Sequence, residues 1–114
     1  MSMAEPTPSE LPPATPVHLA ALIDYQRGSV ASRTLKASAQ GTITLFAFDR
    51  GESLSEHQVP FDAVVQVLDG TGCLTIGGRG VTAKVGETVR MPAHVPHAVH
   101  AVECFKMLLV MIRG

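Results

Sequence analysis

The chain has 114 residues, of which 46% are hydrophobic, and its 9 Lys and Arg residues nearly balance its 10 Asp and Glu residues. This length and composition predict a single globular domain, and the near-neutral charge provides no basic surface for nucleic acid or anionic lipid. With no Trp and one Tyr, the chain also lacks the aromatic platforms on which bases or sugars stack. We therefore expect neither nucleic acid nor membrane as a partner. Because the sequence shows no signal peptide and no apolar run that would span a bilayer, we expect a cytoplasmic location.

Residues 1–16 form a tract rich in Pro, Ser, Thr and Glu. Its five prolines remove backbone donors, and its composition supplies few core contacts. The sequence therefore predicts a disordered or surface-draped tail, followed by one folded domain at residues 17–114. At the start of this domain, residues 17–23 contain a short apolar cluster that is typical of one or two helical turns.

From residue 29 onwards, β-branched runs alternate with short segments that contain Gly. Runs of about five residues at this spacing are typical of a β-sandwich or a small barrel. The glycines predict hairpin turns at 40–41, 69–70, 77–78 and 85–86. Strands are predicted at residues 29–36, 42–49, 63–68, 73–76, 81–84 and 88–91, so the fold class is predicted to be all-β.

The predicted strand at residues 42–49 is apolar on both faces. Ile43, Leu45 and Ala47 share one face, because strand side chains alternate, and Phe46 and Phe48 share the other. We expect the core to cover one face, and either the N-terminal segment or a second subunit to cover the other.

Two motifs that contain His occupy residues 51–70 and 86–97. The first has Gly51, His57 and Gly70 at fixed spacings, and the second has Gly86, Pro92 and His97. These positions resemble the two motifs of the cupins, which are small jelly-roll barrels, also called double-stranded β-helices. The chain is most similar to the small single-domain cupins of the conserved-barrel class, with an RmlC-like jelly roll. The resemblance also implies a homodimer.

The first motif departs from the family at two positions. In cupins, two His and one Glu of this motif, with the His of the second motif, usually hold a divalent metal. Here Val59 stands at the second His position and Ala63 at the Glu position, which leaves His57 and His97 as ligands. Catalytic zinc and non-haem iron sites have at least three protein ligands, so iron, nickel, zinc or manganese would be weakly held. The adjacent carboxylates, Glu56 and Asp62, are expected on the opposite strand face, and a β-bulge at Pro60 could re-aim Asp62.

Strand alternation also predicts which side chains line the barrel. If His57, Ala63 and His97 point inward, residues two or four positions away on the same strands do so as well. The predicted pocket residues, nearly all of them small, are Ser55, His57, Val59, Ala63, Val65, Val67, His97, Val99 and Ala101. A barrel of about eight strands encloses either side chains or one small ligand, and a small aliphatic lining favours a ligand.

Three further features receive structural interpretations. His94 occupies a Gly position of the second motif, where a positive backbone angle is expected. The only two cysteines, Cys73 and Cys104, are far apart in the sequence and are expected to be buried free thiols. The Gly-rich segments 70–72 and 77–80 precede strands, and since no helix N-terminus follows them we interpret them as turns and not as phosphate loops.

Three functions of different classes fit these residues. In the first, the barrel binds a small molecule in an apolar pocket, with His57 and His97 at the polar end and without the full metal site. The second is a metal-dependent cupin enzyme of the dioxygenase, isomerase or decarboxylase type, with the same two histidines as ligands. A metal-free enzyme would instead use them as general acid and base. The third is a structural or interaction protein with a filled barrel. Because Val59 and Ala63 remove two ligands, the first hypothesis is favoured.

Overall fold

The computed structural model describes residues 10–113. Residues 1–9, the larger part of the predicted disordered tail, and residue 114 lie outside the described residues. The described range forms one 3-10 helix and nine β-strands. The helix spans Leu19–Leu22, and the strands are β1 (Val30–Ser38), β2 (Gly41–Phe48), β3 (Ser53–His57), β4 (Phe61–Asp69), β5 (Thr71–Ile76), β6 (Arg79–Lys84), β7 (Thr88–Met91), β8 (His97–His100) and β9 (Phe105–Arg113).

The strands form two antiparallel sheets. One has the order β1-β2-β9-β4-β7, and the other has the order β3-β8-β5-β6. The predicted all-β jelly roll and its short N-terminal helical turn are both confirmed, and the predicted strand ends differ from the observed ones by at most two residues. Buried apolar side chains fill the space between the sheets, and among them the rings of Phe48 and Phe105 stack with their centroids 4.6 Å apart.

The Gly-containing turns divide into hairpins and corners. The predicted hairpins at 40–41 and 77–78 are confirmed, because β1 pairs with β2 and β5 pairs with β6. The predicted hairpins at 69–70 and 85–86 are wrong: β4 and β7 belong to the five-stranded sheet, while β5 and β6 between them belong to the other. At the first of these corners Gly70 has a φ of 73°, and a Cβ placed on it would lie 2.3 Å from the carbonyl oxygen of Cys104. The chain therefore needs Gly where it leaves one sheet for the other.

The N-terminal segment covers the outer face of the five-stranded sheet. Leu45 and Ala47 are fully buried beneath it, in a second apolar cluster that also includes Leu11, Leu19, Leu22, Ile23 and Tyr25. Both faces of β2 are apolar because the core covers one face and the N-terminal segment covers the other. The N-terminal segment is thus one of the two alternatives that were expected for the second face. Since this face is already covered within one chain, homodimer formation stays a prediction.

Polar contacts fasten the N-terminal segment to the barrel. The backbone N–H of Leu11 donates to the carbonyl oxygen of Leu35 at 3.1 Å, so this described part of the predicted tail lies against β1. The Lys106 ammonium donates to the carbonyl oxygen of Ala20 at 2.7 Å, and the Tyr25 hydroxyl donates to the Asp69 carboxylate. Among the described residues, no helix is long and apolar enough to cross a membrane.

Candidate functional site

A cavity of about 100 Å3 lies between the two sheets. It is close to the end of the barrel at which β4 begins and β9 ends. Phe61 of β4 and Arg113 of β9 pair at that rim, and the cavity residues Ala63 and Met111 lie two residues further in on the same strands. Eight of the residues around it are apolar and two are histidines; they are Leu54, His57, Val59, Ala63, Met91, His97, Val99, Met107, Leu109 and Met111.

The wall on the five-stranded sheet is a row of cross-strand partners. Ala63 of β4 pairs with Met91 of β7 on one side and with Met111 of β9 on the other. Side chains directly opposite each other on neighbouring strands lie on the same face of a sheet. The side chain of Ala63 is a single methyl group between two long Met side chains, which leaves room for the cavity in front of it.

The wall on the four-stranded sheet is the histidine pair. His57 of β3 and His97 of β8 are cross-strand partners, and their rings meet edge to face with centroids 4.4 Å apart. His97 is only 5% exposed, whereas His57 is exposed to solvent. The pair thus runs from the interior of the barrel to its surface.

Backbone carbonyl groups fix the tautomers of both rings. Nδ1 of His57 lies 2.9 Å from the carbonyl oxygen of Ser55, and Nδ1 of His97 lies 3.3 Å from that of Val95. A carbonyl oxygen can only accept a hydrogen bond, so each Nδ1 must hold the proton and donate it. In the neutral rings, Nε2 therefore presents a lone pair, which can accept a hydrogen bond or bind a metal ion.

The environment of His97 favours its neutral form. Burial lowers the pKa of His97 below its ordinary value of 6.5, because the charged ring loses solvation, and the neighbouring His57 lowers it further. The hydrogen bond to the carbonyl oxygen of Val95 opposes these two effects. At neutral pH, His97 therefore offers a lone pair at Nε2 to the cavity.

A β-bulge changes the strand phase next to His57. Leu54 pairs with Val99 and His57 pairs with His97, so three steps along β3 match two steps along β8. The extra residue brings both Leu54 and His57 to the cavity, which strict alternation does not allow. Ser55, which was predicted to line the pocket, is instead exposed outside it.

Three other predicted pocket residues lie in the packed core and not in the cavity. Val65, Val67 and Ala101 face the barrel interior, but each is at most 1% exposed and none of them lines the cavity. Phe48 and Phe105 belong to the same buried cluster and fill that half of the barrel. Alternation identifies the inward face of a strand, but it does not say where large side chains from other strands have taken up the space.

The structure adds five lining residues that the prediction did not include. They are all larger apolar residues: Leu54, Met91, Met107, Leu109 and Met111. The shared face of the three β9 residues can be recognised in the sequence, but it indicates core packing equally well. Only the register with β4 shows that Met111 stands beside Ala63.

The side chains around the cavity do not fit the divalent metal site of the family. In the described part of the chain, no three His, Cys, Asp or Glu side chains are grouped so that they could hold a metal ion. Val59 and Ala63 face the cavity with hydrocarbon only. The predicted substitute ligand, Asp62, does not line the cavity: its Oδ1 accepts a hydrogen bond from the backbone N–H of Ala93 at 3.0 Å and lies 3.7 Å from Arg90. Within residues 10–113, no third His, Cys, Asp or Glu side chain is therefore available to the two histidines.

The loop before β8 holds Val59 in the cavity wall. The backbone N–H of His94 donates to the carbonyl oxygen of Val59 at 2.8 Å, and His94 has a φ of 64°. The expected positive backbone angle at this Gly position of the motif is confirmed. His94 is exposed and does not line the cavity, so its position is explained by the turn.

Comparisons with known proteins agree with this architecture. The family model of the cupin domain matches residues 44–112. A conserved protein of unknown function from Streptococcus pyogenes has 34% sequence identity over 92% of each chain, with a TM-score of 0.87. A cupin superfamily protein from Desulfitobacterium hafniense has 31% identity over 92% of this chain and 96% of its own, with a TM-score of 0.86.

A cupin 2 conserved barrel domain protein from Leptotrichia buccalis is 41% identical, and the match covers 82% of this chain but 45% of that one, with a TM-score of 0.79. No curated protein matches the sequence. The family model spans more than half of the chain, and two solved structures align with nearly all of it at over 30% identity. The chain therefore belongs to the cupin family.

Proposed function

We propose that this protein binds a small neutral molecule in the cavity between its sheets, without the divalent metal that most cupins hold. The apolar body of the ligand contacts the aliphatic and thioether side chains, and its hydrogen-bond donor points to Nε2 of His57 or His97. The observation that supports this best is the cavity lining. Among the described residues that form it, the only polar side chains are two histidines of fixed tautomer.

The size of the cavity limits the ligand. An engineered apolar cavity of roughly 150 Å3 in another protein is known to bind benzene, and the cavity here measures about 100 Å3. Methionine side chains adapt their shape easily, because they are unbranched and flexible. With three methionines in its wall, the cavity can accommodate one aromatic ring or a short aliphatic chain.

The charge of the lining favours a neutral ligand. Among the described residues, no Lys, Arg, Asp or Glu contributes to the wall. Burying an ion without a counter-charge is costly, whereas burying a single hydroxyl group costs little once it donates a hydrogen bond. Phenol, which combines an apolar ring with one O–H donor, is therefore a suitable probe, and toluene has the same size without the donor.

Phenol and toluene binding can be compared by ligand-observed NMR titration of the wild-type protein and the His97→Phe variant. We expect the wild type to bind both probes, with phenol the tighter of the two. Loss of a neutral hydrogen bond, worth roughly 1 kcal/mol, should weaken phenol binding about 5-fold in the variant and leave toluene binding nearly unchanged.

Toluene serves as the internal control, because a new Phe side chain that filled the cavity would displace both probes. Ala63→Leu provides a second control, since its larger side chain should exclude both molecules from the cavity in a protein that still folds. If the wild type bound neither probe, or if Ala63→Leu left binding unchanged, the cavity would not be the binding site.

A further inference from the structure

Methionine is concentrated around one cavity in this protein. The sequence has five methionines, of which two are at positions 1 and 3, outside the described residues. The remaining three, Met91, Met107 and Met111, all line the cavity that contains the histidine pair. Thioether side chains from two strands therefore surround the same space as two imidazole rings.

The backbone register places two of these methionines on either side of the position where the family has its carboxylate. Ala63 occupies that Glu position, and Met91 and Met111 are its cross-strand partners on the two sides. The Cβ atoms of such partners lie roughly 5 Å apart on the same face of a sheet. A flexible Met side chain can span that distance, so thioether groups are available where the carboxylate is lost.

Both histidines are arranged as ligating histidines usually are. Each Nδ1–H donates to a backbone carbonyl oxygen, which orients the ring and leaves Nε2 as the free donor atom. The ring centroids are 4.4 Å apart. A centroid separation of this size is compatible with two imidazole rings that share one ion at a bond length of about 2 Å.

The chemistry of these donors selects the ion. Thioether sulfur is a soft ligand that favours Cu(I), and imidazole also binds copper, whereas hard divalent ions prefer the carboxylate oxygens that this cavity lacks. A monovalent ion is also cheaper to bury among neutral side chains than a divalent one. We propose that the cavity is a binding site for Cu(I), held by Nε2 of His57 and His97 and by the thioether sulfur of Met91, Met111 or both.

The direct test uses Ag(I), a soft monovalent ion that does not change its oxidation state. The full-length protein is labelled with 13C at the methionine methyl groups and titrated with Ag(I), and the five methyl signals are followed by NMR. We expect a saturable one-to-one change at Met91, Met111 or both, with little change at Met1, Met3 and Met107. No saturable change at Met91 or Met111, or a change confined to the other three, would overturn the assignment.

Cu(I) itself is then titrated without oxygen, in competition with a colorimetric Cu(I) chelator. Loss of ligand-orienting groups alone typically lowers metal affinity about 10–100-fold, so removing the sulfur donors in the variant Met91→Leu with Met111→Leu should weaken Cu(I) binding at least about 100-fold. Met107→Leu is the matched control, because it removes a sulfur atom from the same cavity two residues further along β9. Leu and Met have similar volumes, so all of these variants should fold.

Two additional measurements make the result decisive. The variant Cys73→Ala with Cys104→Ser should retain one-to-one Cu(I) binding, and loss of binding in it would assign the ion to the free thiols instead. Phenol binding is measured in the double Leu variant, which keeps the apolar volume of the cavity. That variant should bind phenol but not Cu(I). In the wild type, phenol binding without Cu(I) binding would contradict the copper site alone, and Cu(I) binding without phenol binding would contradict only the proposed small-molecule function.

Discussion

Residues 59 and 63 determine what the histidine pair can hold. Both line the cavity together with His57 and His97, and both are apolar where most members of the family have metal ligands. The barrel thus keeps the positions of a four-ligand site but only two of its usual donor groups. Two side chains, and not the fold, account for the loss of the family's usual divalent ligand set.

Restoring the two lost donors should create a divalent metal site. In the variant Val59→His with Ala63→Glu, the new imidazole and carboxylate enter the cavity beside His57 and His97, because residues 59 and 63 already face it. Three His and one carboxylate are a ligand set that suits zinc and nickel. We expect one-to-one binding of either ion by calorimetry and elemental analysis, with little binding by the wild type.

The control for this variant moves the carboxylate by one residue. In Asp62→Glu with Val59 and Ala63 unchanged, the carboxylate lies on the strand face that leads away from the cavity and only His57 and His97 remain as ligands, so the protein should bind zinc much more weakly. A folded Val59→His, Ala63→Glu protein that bound neither zinc nor nickel would show that the four positions do not converge on one point.

Asp49 connects the start of the barrel to its last loop. Its carboxylate accepts hydrogen bonds from the backbone N–H of Gly28 at 2.6 Å and from the Cys104 thiol at 3.3 Å. These bonds favour the ionised form, first through Gly28 and then through Cys104, and so lower the pKa of Asp49 below its ordinary value of 3.8.

This lowered pKa predicts how the stability depends on pH. Because the folded state holds the ionised carboxylate more strongly than the unfolded state does, the stabilisation is fully present above pH ~4 and is lost as the pH falls through the lowered pKa of Asp49. In urea unfolding at pH 6, the free energy of unfolding should therefore be larger for the wild type than for Asp49→Asn. The difference between the two proteins should shrink as the pH falls towards 2. Asp24→Asn, at an exposed position, is the control, and a difference that did not change with pH would contradict the role of ionisation.

At the scale of single elements, local irregularities limited the prediction of the site. The strands and their inward faces follow from apolar alternation, and the fold follows from the spacing of Gly, Pro and His. The bulge that brings Leu54 to the cavity and excludes Ser55 leaves no mark in the sequence, because it depends on how β3 pairs with β8. Similarly, Asp69-Gly70 at the corner and Gly77-Gly78 at the hairpin are both residue pairs typical of hairpin turns, and only the partners of the flanking strands distinguish the two.

The corner at Gly70 should tolerate no other residue. Gly70→Ala introduces a methyl group that meets the backbone of Cys104, which cannot easily move, in addition to the positive φ. We expect a loss of about 3 kcal/mol or more in the free energy of unfolding. Gly51→Ala is the matched control, since Gly51 also has a positive φ, of 84°, but has free space around its Cβ position. It should cost only about 1 kcal/mol.

Denaturant unfolding of the two variants separates the two effects. Equal losses for Gly70→Ala and Gly51→Ala would mean that the backbone angle alone explains the choice of Gly at the corner. A larger loss for Gly70→Ala would show that close approach of the two chain segments fixes the corner.

At the scale of the whole molecule, the barrel has two apolar clusters, one between the sheets and one beneath the N-terminal segment. The two apolar faces of β2 predict that both sides of this strand are covered, but they do not distinguish a segment of the same chain from a second subunit. That distinction depends on contacts such as Lys106 with Ala20, which join residues far apart in the sequence. Neither partner in such a contact can be identified from its local pattern.

The position of β9 has a consequence for how the protein is made. In the five-stranded sheet, β9 lies between β2 and β4, so the pair β1-β2 and the pair β4-β7 have no ladder between them until β9 is inserted. Ribosomes add roughly 5–20 residues per second, and segments made early usually begin to fold first. Here the edges of β2 and β4 that β9 later covers stay unpaired until residues 105–113 have left the ribosome. During that interval the nascent chain exposes the two strand edges that β9 later covers, and these are the surfaces through which unfinished β-proteins associate.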